Sequence, residues 1–419
     1  MSPRQGKERV VRVAFVLGTT SGGTGRHVRM LAEGLVGRGH QVVVAGPSGV
    51  EEQFSFASAG ARFVPIAVSD RPHPVNDLRA VLAIRRLTRG ADVVHAHGLR
   101  AGALAALGVR GVLTSLGVRA GRRALGPRGR RRPPTASRST GEGASAAGEG
   151  RRLVVTLHNA LTAGGFVGVV YGVLERIVAW RADHVLVVSP DLGERMTGLG
   201  ARDVRPAVVP APALRPAKRT PQEVRDELGA GERPILLMIG RLAQQKGLET
   251  LLDVAAGPWP GGGGRSGEGP QAAGQPLFVV AGEGPLRGEL ERRIRAERLP
   301  VRLLGNREDI PDLLGAATAV VTASRWEGQP LSLNEALMAG KPVIGTAVGG
   351  IPEIVGDAGV LVPYGDVQGL RGAVRTLLEE PGPAERMAAA AARRGRELPG
   401  GDEAVESVLT IYRFAGTIG

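Results

Sequence analysis

Ser324-Arg-Trp-Glu-Gly-Gln-Pro-Leu-Ser-Leu-Asn-Glu-Ala-Leu-Met-Ala-Gly-Lys-Pro-Val-Ile344 runs from a turn-prone stretch into a helix and on toward a β-branched strand, the recurring unit of a parallel α/β domain. Two carboxylates, Glu327 and Glu335, stand in it with seven residues between them. The first lies in the turn beside Gly328, and the second lies near the start of the helix. A helix N-terminus offers unpaired N–H groups and a positive dipole end, which suits phosphate, while a carboxylate there accepts hydrogen bonds from hydroxyls. The segment therefore suits a ligand carrying both groups, as a sugar nucleotide does. A purely structural alternative for Glu335 is a capping box with Ser332 at N-cap and Glu335 at N3, which does not exclude ribose binding. For Glu327 the alternative is a solvated loop carboxylate, disfavoured by Trp326 and Gly328 on either side.

Outward from this segment, short β-branched runs alternate with amphipathic helical stretches. Strands are expected at Val10 to Leu17, Gln41 to Ala45, Asp92 to Ala96, Leu153 to Thr156 and His184 to Val188, with a helix from Gly25 to Arg38 whose face is Val28, Leu31 and Leu35. The Pro-rich stretch Pro206 to Pro221 breaks the pattern as a linker. Strands resume at Pro234 to Ile239, Leu277 to Ala281, Val301 to Leu304, Ala319 to Thr322, Val343 to Gly345 and Val360 to Val362, with a helix at Leu248 to Ala255. The division expected is an N-terminal Rossmann-like domain over 1–210, a second over 211–400, and a terminal helix within 401–419. That helix, Asp402 to Phe414, shows Val405, Val408, Leu409 and Tyr412 at helical spacing, an apolar face that needs a partner.

A chain of 419 residues exceeds what one core usually supports, and a hydrophobic fraction of 42% suffices for two. The absence of cysteine excludes disulfides, thiolate metal sites and cysteine nucleophiles. No apolar run of membrane-spanning length occurs, and the polar start Met1 to Arg9 leads straight into a strand, so a cytoplasmic location is expected. The net charge of +14 falls to about +6 once the eight arginines between Arg119 and Arg138 are set aside. They lie in a Gly/Pro/Ser/Arg-rich stretch, 111–150, expected to be a disordered insertion, and a Gly-rich insertion is expected at 257–276. The arginines could serve a peripheral contact with an anionic membrane, at its inner face, or merely solubilise. With 3% aromatic residues, specific nucleic-acid recognition is not expected.

The E-x7-E pattern, continued by Gly340-Lys-Pro-Val-Ile344 and Gly349-Gly-Ile-Pro-Glu-Ile-Val355, resembles the signature of retaining glycosyltransferases of family 4, and the resemblance runs from about residue 11 to 415 outside the insertions. It implies the GT-B architecture, α/β with two Rossmann-like domains facing a central cleft and a C-terminal helix crossing back to the first. It also implies Glu327 as a catalytic residue and Gly328, Leu331 and Glu335 as donor-binding residues. Gly240-Arg-Leu-Ala-Gln-Gln-Lys-Gly247 follows a strand, so Arg241 and Lys246 can converge on a diphosphate; the family's G-R-x-x-x-x-K-G loop is similar. Ala281-Gly-Glu-Gly-Pro-Leu286 resembles its G-x-G-P loop, which implies Gly282, Glu283 and Gly284 near the donor phosphates. In Gly18-Thr-Thr-Ser-Gly-Gly-Thr-Gly25, Gly22 and Gly23 allow close backbone approach to the donor, and the loop resembles the family's Gly-Gly loop without the spacing of a dinucleotide site.

His158, closing Val155-Thr-Leu-His-Asn159, falls where the family places a histidine beside the anomeric centre. His97 and His27 are acceptor-side candidates. His95 and His97 share one strand face; without a third ligand at motif spacing, acceptor contact or a buried hydrogen-bonded pair is preferred to zinc. There is no D-x-D, so no metal and no resident cofactor is expected, and Arg241 and Lys246 take the cation's role on the leaving group. The expectation is transfer of a hexose-like sugar from a nucleoside diphosphate to a glycan, lipid or small-molecule hydroxyl. Its rivals are a sugar-nucleotide epimerase or phosphorylase on the same fold, and a nucleic-acid or anionic-surface binder using the arginine-rich loop.

Overall fold

The structure, a computed structural model, describes residues 9–20, 22–68, 73–110, 151–159, 165–211, 214–259 and 275–413. The insertion expected at 111–150 and most of that at 257–276 lie outside the described residues.

Strands β1 (Arg12–Leu17), β2 (Gln41–Gly46), β3 (Arg62–Pro65), β4 (Val93–His97), β5 (Arg152–Leu157), β6 (His184–Val187) and β7 (Val204–Pro206) form one parallel sheet in the order β3-β2-β1-β4-β5-β6-β7. A second parallel sheet contains β8 (Ile235–Ile239), β9 (Leu277–Ala281), β10 (Val301–Gly305), β11 (Ala319–Thr322), β12 (Val343–Thr346) and β13 (Gly359–Val362), ordered β10-β9-β8-β11-β12-β13. Both are doubly wound. Strands such as Leu277–Ala281 are apolar end to end because helices cover both faces of the sheet, whereas β4, in the middle of the first sheet, carries His95 and His97. Each sheet reverses direction once, between β1 and β4 and between β8 and β11. At such switch points the flanking loops splay apart and leave a crevice at the strands' C-terminal ends.

Several boundaries differ from the sequence reading for local reasons. Val10 is half exposed and precedes the sheet, which starts at Arg12, where the backbone N–H bonds to Asp92 Oδ2 at 2.8 Å. Pro206, expected to open the linker, is the last residue of β7, an edge position where a missing N–H is tolerated. The helix expected to begin at Gly25 begins two residues earlier, over Gly23–Gly37.

The terminal helix, Gly401–Arg413, lies on the first half of the chain. Val405, Val408, Leu409 and Tyr412 are all buried in the core built on β1 to β7. Arg38 bonds Asp402 at 2.8 Å and Glu406 at 3.0 Å, and Arg152 Nη1 donates to the Ile411 carbonyl at 3.1 Å. The approach to Gly23–Gly37 is close enough that a Cβ on Gly34 would lie 2.5 Å from Val405 Cγ2. Helix propensity alone favours alanine over glycine by about 1 kcal/mol. Overpacking costs about 1–3 kcal/mol, so Gly34→Ala should destabilise the protein, and Val405→Ala in the same chain should recover part of the loss. Urea melts of the two single variants and the double variant check this; a Gly34→Ala protein more stable than the parent would show that the contact is slack.

Candidate active site

On the second half, the loop after β11 and the turn after β8 are bound together. Lys246 Nζ donates to Glu327 Oε1 at 2.5 Å, and Ser324 Oγ donates to the same oxygen at 2.7 Å. Glu327 is 5% exposed while Lys246 is only partly buried, so the carboxylate is the buried member of the pair. Removing Lys246 would leave the buried Glu327 carboxylate without its charge partner, which is costly. Backbone bonds complete the join: the Arg325 N–H donates to the Gln245 carbonyl at 2.8 Å, and the Gly350 N–H to the Glu327 carbonyl at 3.0 Å. Gly349 sits at φ +54°, with the position of a Cβ only 1.7 Å from that carbonyl oxygen, so only glycine fits.

The Arg241 side chain is exposed and makes no hydrogen bond among the described residues, while its carbonyl accepts from the Ala243 N–H at 2.8 Å. Its loop is held against the next one: the Leu242 N–H donates to the Glu283 carbonyl at 2.9 Å, and Cβ atoms on Gly282 or Gly284 would meet backbone at 2.0 or 2.4 Å. Gly282 and Gly284 thus position the Arg241 loop, while the Glu283 carboxylate pairs with Arg287 at 2.5 Å. Glu335 is half buried and without a partner among the described residues; burial pushes its carboxyl up, opposed by the charge of Arg26 from the other half. The capping-box reading fails. The helix is Leu331–Met338, Pro330 occupies N-cap, and no side chain caps it, because the proline sets the entry two residues earlier than Ser332 would.

Across the crevice, Gly22 is the N-cap of Gly23–Gly37 at φ +97° with open space on its Cβ side, and a Cβ on Gly23 would lie 3.8 Å from Leu331. Gly328 is pressed onto the first half: its Cβ position is 2.6 Å from Val188 Cγ2 and 2.9 Å from the His158 carbonyl oxygen. Trp326 joins the first half's core and its Nε1 donates to Asp191 at 2.6 Å. Residues 326–328 therefore bring the Glu327 loop to the end of β5.

There, four histidines cluster. His97 Nδ1 and His158 Nε2 are 3.0 Å apart, His27 stands 5.8 Å and 5.7 Å from those two rings, and His95 lies 4.3 Å from His97. His95 faces away from the crevice, bonded to Tyr412 Oη at 2.6 Å and Thr156 Oγ1 at 2.7 Å, which makes it part of the core. His27 Nδ1 and His97 Nε2 are buried without partners. Desolvation lowers all four: His27 to about 4, His158 to about 3 with His27 adding to the effect, and His95 and His97 well below the ordinary value. All four imidazoles are neutral at pH 7. Ser324, Thr156, Asp191 and Arg26 are given no role by the sequence reading, although Ser324 and Thr156 lie inside quoted segments and Arg26 directly follows the Gly-Gly loop; Tyr412 is read there only as part of an apolar helix face.

Residues 233–380 match the family model described as glycosyl transferases group 1, and 22–146 with 134–212 match a glycosyl transferase 4-like domain. The crystal structure of Anabaena HepE in complex with UDP superposes with a TM-score of 0.70 at 19% identity, over 96% of this chain and 99% of that one. The fold is GT-B. A glycogen synthase of Mycobacterium tuberculosis is 29% identical over 89% of this chain and 86% of its own length. An alpha-D-kanosaminyltransferase of Streptomyces kanamyceticus is 31% identical over 46% of this chain; the chain spans about half of that relative, 49% of its length. In this GT-B chain both matched regions contribute to the crevice: His27, His97 and His158 from the first, Lys246, Glu327 and Glu335 from the second.

The depressed histidines set an acid limit on stability. Below the ordinary value of 6.5 the unfolded chain binds protons that folded His27 refuses until about 4, so its contribution is complete above 6.5 and is lost as pH falls toward 4. A His27→Leu variant should show a shallower fall in melting temperature between pH 6.5 and 4 than the parent protein. Parallel melting curves across that window would show that His27 is not held neutral.

Proposed function

We propose that this GT-B protein is a retaining glycosyltransferase that moves a sugar from a nucleoside diphosphate to an acceptor hydroxyl without a metal ion. The observation that carries the reading is the seating of Gly328 against His158, which brings the acid-bearing loop of one half to the histidines of the other. Arg241, exposed and unpartnered, and Lys246 meet the charge that grows on the diphosphate as the glycosidic bond lengthens, which is selective stabilisation of the transition state. Glu335 accepts the ribose hydroxyls, and the open backbone at Gly22 and Gly23 leads the sugar to the crevice. HepE, described as complexed with UDP-glucose, supports a nucleotide-sugar donor.

Neutral His158 hydrogen-bonds the transferred sugar. The acceptor hydroxyl attacks from the face the diphosphate leaves; the bond from the anomeric carbon to the phosphate oxygen breaks, the new glycosidic bond forms, and a phosphate oxygen takes the proton. With all four histidines neutral, no imidazolium competes for the diphosphate.

Donor release measured across a panel of nucleotide sugars, with and without acceptors, tests the reading; epimerised sugar nucleotide or sugar phosphate as the product would replace it with a rival. Glu335→Gln should weaken donor binding about 10- to 100-fold by calorimetry, the worth of a charge-assisted hydrogen bond or two. Unchanged donor affinity would remove Glu335 from the site. Turnover should persist in EDTA, and loss restored by magnesium or manganese would contradict the Arg241 and Lys246 clamp.

A further inference from the structure

Three helices of the first half form one layer: Leu99–Arg110 packs between Pro74–Leu87 on one side and Gly165–Arg181 on the other. The middle helix is largely buried, but each outer helix leaves an apolar stripe in water. On Pro74–Leu87 the stripe is Val75, Leu78 and Leu82, 52%, 56% and 44% exposed at helical spacing. On Gly165–Arg181 it is Val169, Val173 and Trp180, 66%, 51% and 59% exposed. Seven of the nine large hydrophobic side chains exposed among the described residues lie on these two helices, Val167 being the seventh. Exposed large apolar side chains concentrated on two helices of one layer mark a docking face.

The charge around the stripes selects the occupant. Arg79, Arg85, Arg86 and Arg176 are exposed, whereas the acids on the two helices, Asp77 and Glu175, are each already paired, with Arg100 at 2.6 Å and Arg195 at 2.6 Å. The Trp180 indole N–H donates to the Leu199 carbonyl at 3.0 Å, so the ring can enter an apolar phase without stranding a donor. Apolar stripes flanked by exposed arginines that pair with no carboxylate among the described residues, with a tryptophan at the surface and no helix among the described residues long and apolar enough to cross a membrane, match a surface that lies on a bilayer. We propose that this three-helix face docks on an anionic lipid membrane, with the stripes entering the headgroup boundary and the arginines meeting lipid phosphates. The proposal does not depend on the transfer reaction.

Trp180 provides a direct reporter, because the other two tryptophans, Trp259 and Trp326, are 7% and 9% exposed. The full chain is mixed with phosphatidylcholine vesicles, with and without phosphatidylglycerol, and followed by sedimentation and tryptophan emission. Binding and a blue shift are expected with phosphatidylglycerol only. Leu78→Glu with Val173→Glu should abolish the shift and weaken binding at least about tenfold, and Arg79→Glu or Arg86→Glu should each weaken it about fivefold. All are exposed positions, so melting temperatures should stay put. A chain lacking residues 119–138 should keep the blue shift. Three results would overturn the proposal: no sedimentation with either vesicle, sedimentation that leaves Trp180 emission unchanged or vanishes with residues 119–138, and a stable dimer that Val173→Glu dissociates while vesicle binding persists.

Discussion

Three consecutive residues, 326–328, bear on both halves of the molecule at once, and the geometry of the crevice depends on them. Glu327 is fixed inside the second half by Lys246 and Ser324, and its carbonyl by the Gly350 N–H. Its neighbours belong sterically to the first half: Trp326 in that half's core and bonded to Asp191, Gly328 against Val188 and the His158 carbonyl. A buried carboxylate is costly to leave without its cation, so the pair holds the loop in one position. Here that loop also sets how the two sheets meet. Any larger residue at 328 would have to displace the backbone of the histidine strand.

The histidine cluster has the opposite electrostatic character. Four imidazoles packed within a few ångströms are kept neutral by desolvation and by one another, and the crossing helix contributes to that enclosure through Tyr412 on His95. The terminal helix is thus bound to the site's supporting residues as well as to the core. On one side of the crevice are neutral donors and acceptors; on the other are a free arginine, a paired lysine and a half-buried carboxylate. That asymmetry suits a ligand with its charge at one end and hydroxyls at the other.

Much of this was legible in the sequence where local rules act alone. Leu277–Ala281, Ala319–Thr322 and Leu248–Ala255 fall where the β-branched and helical patterns put them, and the apolar face of the terminal helix is buried as its spacing required. The failures come where a distant or neighbouring residue overrides the pattern. Ser332 had the chemistry of a cap, but Pro330 starts the helix before it. The Lys246–Glu327 pair joins residues 81 positions apart, a distance no periodicity encodes. His27 reaches the other histidines only because β1 and β4 are neighbours in the sheet, and the Gly282 and Gly284 that resemble a phosphate loop are also demanded by the packing of two backbones.

On the proposed function, the loops of both switch points close on one donor. Hydrogen exchange of the full chain, with and without a nucleotide sugar shown to bind by calorimetry, tests it most directly. Simultaneous protection is expected for amides in 22–26 and 157–159 on the first half and in 241–247 and 327–335 on the second. Protection confined to one half, at saturating donor, would contradict it.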